Sequence, residues 1–384
     1  MEYIFCGWNI NIDAVIQLQN QQTFDILAKV LQEHNQGVLD QFLQAFTIGE
    51  SHEFLVEPQI IKILMKELDT ELLLAGQGGY SLINIINSFP NIKPVLHLPN
   101  RCPRLVQMLQ NLSPRILVFD NDGLQSIGQI QFDSNELPPI HIVIEYDSNF
   151  TLTYNTTTYK SARNNRFIIT FDETNCYLKL DKQFINSFKS IIDKNWGVFL
   201  SGYQLISKNV LTQAFMEQHT QVLNELKKIA KWVHLELAFT DCIETQQFIN
   251  EQLLPIVSSV GLNETEIKMQ AQSLNIQYKD EYQVIHDFFK QIDTKIMLYH
   301  NLGFYYALEK YNSGLNFQKG FKTAENVVLS SRSCKDSKQF YKKPSFINQL
   351  DPKYFYTPAC INPISYSVGL GDTVSSSIFV GMLQ

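Results

Sequence analysis

The chain has 384 residues, 45% of them hydrophobic and 18% charged, with a formal net charge of −7 and a pI near 5.7. These values belong to a folded globular protein of one large or two moderate domains and exclude a disordered chain. The acidic balance also argues against sequence-independent nucleic-acid binding, which needs clustered Lys and Arg, and the run Lys335, Lys338, Lys342, Lys343 reads as a solvated loop.

In chain order, strand-like runs are "YIFCG" at 3–7, "LLLAG" at 72–76, "RILVFD" at 115–120, "IHIVIEY" at 140–146, "RFIITFD" at 166–172, "WGVFLSG" at 196–202, "VHLELAF" at 233–239 and "TKIMLYH" at 294–300. Helical patterns separate the last three; in the first of them Leu211, Phe215, Val222, Leu226 and Ile229 recur on one face. Apolar strands alternating with helices predict βαβ units and a largely parallel sheet covered on both faces, an α/β fold. The stretch 123–172 differs: two strand-like runs are joined by the polar "DSNFTLTYNTTTYKSARNN" with no helical period, which predicts a β-rich insertion serving as a lid. The resulting division assigns 1–13, 72–122 and 173–384 to a large α/β domain, and 14–71 with 123–172 to a smaller covering part.

Six cysteines, Cys6, Cys102, Cys176, Cys242, Cys334 and Cys360, show neither a CxxC pair nor metal-ligand spacing, which predicts reduced thiols, most of them buried. The opening "MEYIFCGWNI" is unlike a signal peptide, and no run reaches the ~18 apolar residues of a membrane span. A cytoplasmic location with no membrane partner is the expectation.

The last helix is entered through "SVGLGDTVSS". A glycine turn lets backbone approach an anion at a helix N-terminus, and Asp372 at that mouth is placed to accept a proton from an attacking hydroxyl; the plainer reading is that Asp372 only caps the helix. "GWNINIDAV" sets Asn9, Asn11 and Asp13 after the first strand, suited either to a polyhydroxylated ligand or to an Asx-rich turn. "LAGQGGYSL" opens another helix from a glycine turn, with the amide of Gln77 in it. His234 and Glu236 alternate on one strand, and Glu266 follows another in "NETE". The two glutamates suit Mg²⁺ at a phosphoryl-transfer site, although "NETE" also reads as a helix cap, and His234 lacks a companion at zinc spacing.

Taken in order, "NINIDAV", "GESHEF", "AGQGGYSL", "HIVIEY", "NNRFI", "FLSGYQ", "HLELA", "SVGLNETE" and "SVGLGDTVSS" resemble the ADP-dependent sugar kinases of the ribokinase-like superfamily, most closely the ADP-dependent glucokinases. The resemblance runs from residue 9 to residue 377. It implies a large α/β sandwich with a smaller β-rich lid, and a monomer that converts ADP and glucose to AMP and glucose 6-phosphate. By the same resemblance Asp372 is the catalytic base, Gly369 and Gly371 form the anion hole, and Arg166 holds the nucleotide phosphates. Glu236 and Glu266 organise Mg²⁺. Asn11, Asp13, Glu53, Gln77, Gly78 and His141 face the sugar, and Val368, Gly369 and His300 border the nucleotide.

Glu53 in "GESHEF" favours glucose over fructose 6-phosphate within this resemblance, with Glu50 three residues earlier able to exchange roles with it. Two departures fall near the nucleotide: the family's Arg-Thr before Val-Gly-Leu-Gly-Asp is Tyr366-Ser367 here, and "IMLYHNL" keeps His300 but brings in Asn301. The choice of ADP over ATP rests on the resemblance alone. Alternatives are an ADP-dependent phosphofructokinase, an ATP-using ribokinase-like kinase, and a non-catalytic sugar- or nucleotide-binding relative.

Overall fold

A computed structural model describes residues 1–49, 53–120, 123–188, 195–301, 303–331, 335–336, 350–358, 360–361 and 369–384, with the side chains of 330–331, 335–336 and 360–361 excepted. Its strands in chain order are β1 (Tyr3–Gly7), β2 (Asn11–Gln17), β3 (Glu53–Leu55), β4 (Glu71–Ala75), β5 (Lys93–Leu96), β6 (Leu117–Asp120), β7 (Gly123–Ser126) and β8 (Ile140–Tyr146). There follow β9 (Thr151–Tyr154), β10 (Thr157–Lys160), β11 (Asn165–Phe171), β12 (Trp196–Leu200), β13 (Trp232–Glu236), β14 (Ser259–Leu262), β15 (Ile296–His300) and β16 (Tyr305–Glu309).

Ten strands form one sheet in the order Phe355–Tyr356, β16, β15, β14, β13, β12, β1, β5, β6, β7. The inner strands from β15 to β6 are parallel, and antiparallel strands close both edges. In β12 Val198 and Leu200 enter the core on one face, with Val222, Leu223 and Leu226 of the helix Gln213–Ile229, while Phe199 enters the other, with Ile378 and Phe379 of the last helix. Burial on both sides is why these strands read as unbroken apolar runs. The α/β expectation holds.

A second sheet has the order β3, β11, β8, β2, β4. Its period of two is strict: Ile12, Ala14, Ile16, Ile142, Ile144, Phe167 and Ile169 join the core with the helices Gln21–His34, Gln36–Ile48 and Pro58–Glu67, leaving Asp13, His141 and Arg166 on the alternate positions. Register sets Asp13 beside His141, His141 beside Thr170, and Glu53 beside Ile168.

Three placements differ from the sequence reading. Asn11 and Asp13 lie within a strand, not in the Asx-rich turn that is one of their two sequence readings, and every residue from Asn11 to Ile16 is buried. β4 pairs with β2 in the second sheet, not the large one, and β7 pairs with β6 in the large sheet although the sequence pattern starts the insertion at 123. The polar stretch of the insertion contains the hairpin β9–β10, whose inward side chain Leu152 is buried.

The helices Gln77–Ser88 and Leu370–Leu383 lie against each other and bring their N-termini to the same end of the large sheet. Between them the Asn84 amide, 5% exposed, donates to Ser376 Oγ at 2.8 Å and Ser377 Oγ at 2.9 Å. Asn84→Ala removes a buried donor shared by both helices and is expected to lower unfolding free energy by about 2 kcal/mol in urea titrations.

Candidate functional site

The parallel strands β1, β12, β13, β14 and β15 all end at one edge, where the two helix N-termini also converge and where ligands of open α/β sheets gather. Glu236, the last residue of β13, is 3% exposed. Its Oε1 lies 2.8 Å from His300 Nε2, its Oε2 lies 3.1 Å from His234 Nε2, and Ser375 of the last helix donates its hydroxyl to Oε2. Burial alone would raise this carboxyl, yet the two imidazoles hold it down to about 2. His300 is shifted up in turn: its burial opposes the charge but Glu236 outweighs it.

Gly261 makes room for this carboxylate. A Cβ there would stand 1.9 Å from Glu236 Oε2 and 2.8 Å from His234 Nε2, so the neighbouring strand must carry glycine. His234 also bonds Ser259 Oγ at 2.8 Å through Nδ1, a hydrogen-bonded core histidine as its isolation in the sequence suggested.

Glu266 stands in the first turn of the helix Glu264–Ser273, where both sequence readings meet in one residue. It completes a capping box, accepting from Asn263 N at 2.7 Å and Asn263 Nδ2 at 2.9 Å. It is also a buried carboxyl pushed up to about 8, first by burial and then by the charge of Glu236.

Asp372 is not the N-cap of its helix. That position is Gly369, at φ 69°, a left-handed conformation suited to glycine, and its Cβ position is blocked by Tyr80 at 2.6 Å. Asp372 lies three residues on, half-buried, and its carboxylate is hydrogen-bonded by Gln77. Burial and the charge of Glu236 push it up to about 7, while Gln77, His300 and Arg166 pull the other way. Gln204 donates to Gln77 Oε1 at 2.9 Å, and the Gln77 amide nitrogen donates to the backbone oxygen of Leu237 at 3.3 Å as well as to Asp372. Gly78 accommodates Asn9, whose backbone oxygen would be 2.5 Å from a Cβ at that position. Gly371 is exposed, with His300 beside it.

The second sheet faces this edge with Asp13, His141, Glu53 and Arg166. Asn11 donates to Asp13 Oδ1 at 2.7 Å, and Asp13 is shifted up by burial against the opposing charges of His141 and Arg166. His141 lies 3.0 Å from Asp172 through Nε2 and 3.6 Å from Glu53 through Nδ1. The positive charge of Arg166 lowers both Asp13 and Asp372.

Two groups therefore emerge: Asn11, Asp13, Glu53 and His141 on the second sheet, and Gln77, Glu236, Glu266, His300 and Asp372 on the large one, with Arg166 common to both. Val368, Glu50, Tyr366 and Ser367 lie outside the described residues, as do Cys334 and the side chain of Cys360. Cys6, Cys102, Cys176 and Cys242 are unpaired. Asp172, Gly261, Gln204 and Ser375 were not singled out in the sequence. Ser375 stands one helical turn from Asp372 and was discoverable by spacing, whereas Asp172 is 31 residues from His141 and had no local signal.

Among the described residues, no three His, Cys, Asp or Glu side chains are gathered closely enough to hold a metal ion unaided. Mg²⁺ needs only one or two carboxylates beside water and substrate phosphates. Glu266, pushed up to about 8 by burial and by Glu236, is largely protonated at neutral pH, and a divalent ion bound beside it would favour its ionised form. No helix among the described residues is long and apolar enough to cross a membrane.

The ADP-specific phosphofructokinase/glucokinase conserved region matches residues 2–313. The ADP-dependent glucose/glucosamine kinase of Pyrococcus furiosus is 23% identical over 98% of this chain and 93% of its own. The ADP-specific phosphofructokinase of Methanosarcina acetivorans is 23% identical over 64% of this chain and 62% of its own. In structure, a hypothetical ADP-dependent phosphofructokinase from Pyrococcus horikoshii superposes with a TM-score of 0.76 at 18% identity, covering 100% of this chain and 98% of the other. With an α/β body, a second sheet facing its strand ends and a match over residues 2–313, the chain belongs to the family of ADP-specific phosphofructokinases and glucokinases.

Proposed function

We propose that this member of the ADP-dependent sugar kinases transfers the β-phosphoryl group of ADP to the 6-hydroxyl of glucose, giving AMP and glucose 6-phosphate. The observation that carries the choice of glucose is the pair Glu53 and Asp13 around His141. Carboxylates accept hydrogen bonds from the hydroxyls of a neutral hexose, whereas a sugar phosphate there meets like charge. A fructose 6-phosphate reading has one feature in its favour, the positive charge that Asp172 and Glu53 confer on His141.

In this reading Asp372 takes the proton of the attacking hydroxyl. Its carboxyl titrates near neutrality because of burial and Glu236, which suits a general base working near pH 7. Gln77, oriented by Gln204, fixes the direction of the carboxylate. The N–H groups at the start of the last helix, entered through Gly369 and Gly371, face the transferred phosphoryl group, and Arg166 adds positive charge beside the same base. Glu236 and Glu266 would hold Mg²⁺, directly or through water, and the ion would neutralise phosphate charge when bound. His300 borders the nucleotide and keeps Glu236 ionised. The second sheet acts as a lid that excludes water from the transfer. The enzyme works as a cytoplasmic monomer with glucose and ADP as its partners.

Coupled assays with Mg²⁺, offering ADP and ATP against glucose and fructose 6-phosphate, test this reading; turnover is expected with ADP and glucose, and turnover of fructose 6-phosphate alone would overturn the choice of sugar. Asp372→Asn is expected to lower kcat by roughly 10²–10⁴-fold while ADP affinity stays within a few-fold. Because the base must be deprotonated, kcat/KM of the wild type is expected to fall as pH drops through about 7, and a flat profile there would remove Asp372 as the base. Glu53→Gln is expected to raise KM for glucose roughly tenfold with KM for ADP unchanged.

A further inference from the structure

Asp172 is 2% exposed and takes no part in the chemistry described above, yet it lies 3.0 Å from His141, one of the sugar-facing candidates. It follows β11 at the point where the chain leaves the second sheet, and it caps the helix Glu173–Cys176 by accepting from Asn175 N at 3.0 Å. Its other oxygen accepts from Asn175 Nδ2 and faces His141 Nε2 at 3.0 Å. Asn175 Nδ2 also donates to the backbone oxygen of Ile10 at 3.0 Å, which ties this point to the crossing between β1 and β2.

We propose that Asp172 is a positioning residue of the sugar pocket: by anchoring His141 through Nε2 it aims Nδ1–H at Glu53 and so sets the direction in which Glu53 meets the sugar. The inference rests on the reading of Glu53 and His141 as sugar-facing groups. A carboxylate at Nε2 can only accept, so that nitrogen must carry hydrogen, and a second carboxylate 3.6 Å from Nδ1 favours hydrogen there as well. The imidazole thus lies between two carboxylates, Glu53 on β3 and Asp172 after β11, as a doubly protonated ring.

The charged groups that bear on this ring are Asp172 after β11, Glu53 on β3 and Asp13 on β2. Burial opposes its charge, but the Asp172 hydrogen bond and the three carboxylates together push it up to about 9. Without Asp172 the ring loses the anchor that holds its orientation, and Glu53 loses the fixed positive charge that faces it at 3.6 Å.

The test is Asp172→Asn in the full chain. Asparagine preserves the capping oxygen for Asn175 N, but it presents an amide donor to Nε2 and removes the charge. Long-range ¹H–¹⁵N spectra report the protonation of each ring nitrogen, and the His141 signals are identified by their loss in His141→Gln. At pH 7.5 the wild type is expected to show both nitrogens of His141 protonated, and Asp172→Asn to show a neutral ring carrying hydrogen on Nδ1 only. KM for glucose is expected to rise roughly tenfold, with kcat within about threefold. If Asp172→Asn does not fold, Asp172→Ser keeps a capping hydroxyl and is read in the same way. An unchanged His141 spectrum in either variant, or a fall in kcat with KM unaltered, overturns the inference. If the wild type uses fructose 6-phosphate instead of glucose, the proposed function fails, while the spectra still decide the role of Asp172.

Discussion

A buried, ionised Glu236 organises the large-sheet half of the cleft. It stays charged only because His300 and His234 press against its two oxygens and Ser375 donates to one of them. Once charged, it adds to burial in raising both Glu266 and Asp372, so one side chain helps keep Glu266 protonated near neutral pH and brings the Asp372 carboxyl to titrate near neutrality. The cost of burying a charge is met by close hydrogen-bonded partners, and Gly261 supplies the space for them.

The second half of the cleft depends on how the chain crosses between sheets. Three residues, Trp8, Asn9 and Ile10, separate β1 in the large sheet from β2 in the second, and β4 leads almost directly into the helix that begins at Gln77. β11 is followed by Asp172, which is bonded to Asn175, itself bonded to Ile10. The sugar-facing candidates therefore sit close to crossings. A change in the angle between the sheets would move Asp13, His141 and Arg166 relative to Asp372.

Much of this was legible in the linear chain because it follows local chemistry. Doubly buried strands produce apolar runs, and amphipathic helices produce their period; in Gln213–Ile229 the expected Val222 and Leu226 are buried, although Leu211 precedes the helix. The glycine turns before Gln77 and Asp372 mark helix starts, and "NETE" marks a cap that is present. What escaped were strands with polar residues at alternate positions: β2, where Asn11 and Asp13 interrupt the apolar run, and β9, where Thr alternates with Leu and Tyr.

The sequence by itself determined the fold class, the helix entrances and the residue types available for phosphoryl transfer, since each rests on spacing within a few residues. Only the tertiary structure decided which of those residues meet. Glu236 and His300 are 64 residues apart, and Ser375 is 139 from Glu236. Their charges depend on contact and burial, quantities that strand order and helix packing set and that no local pattern encodes. The same holds for Asp172, whose effect on His141 comes from the register of β8 against β11 and the turn that follows it.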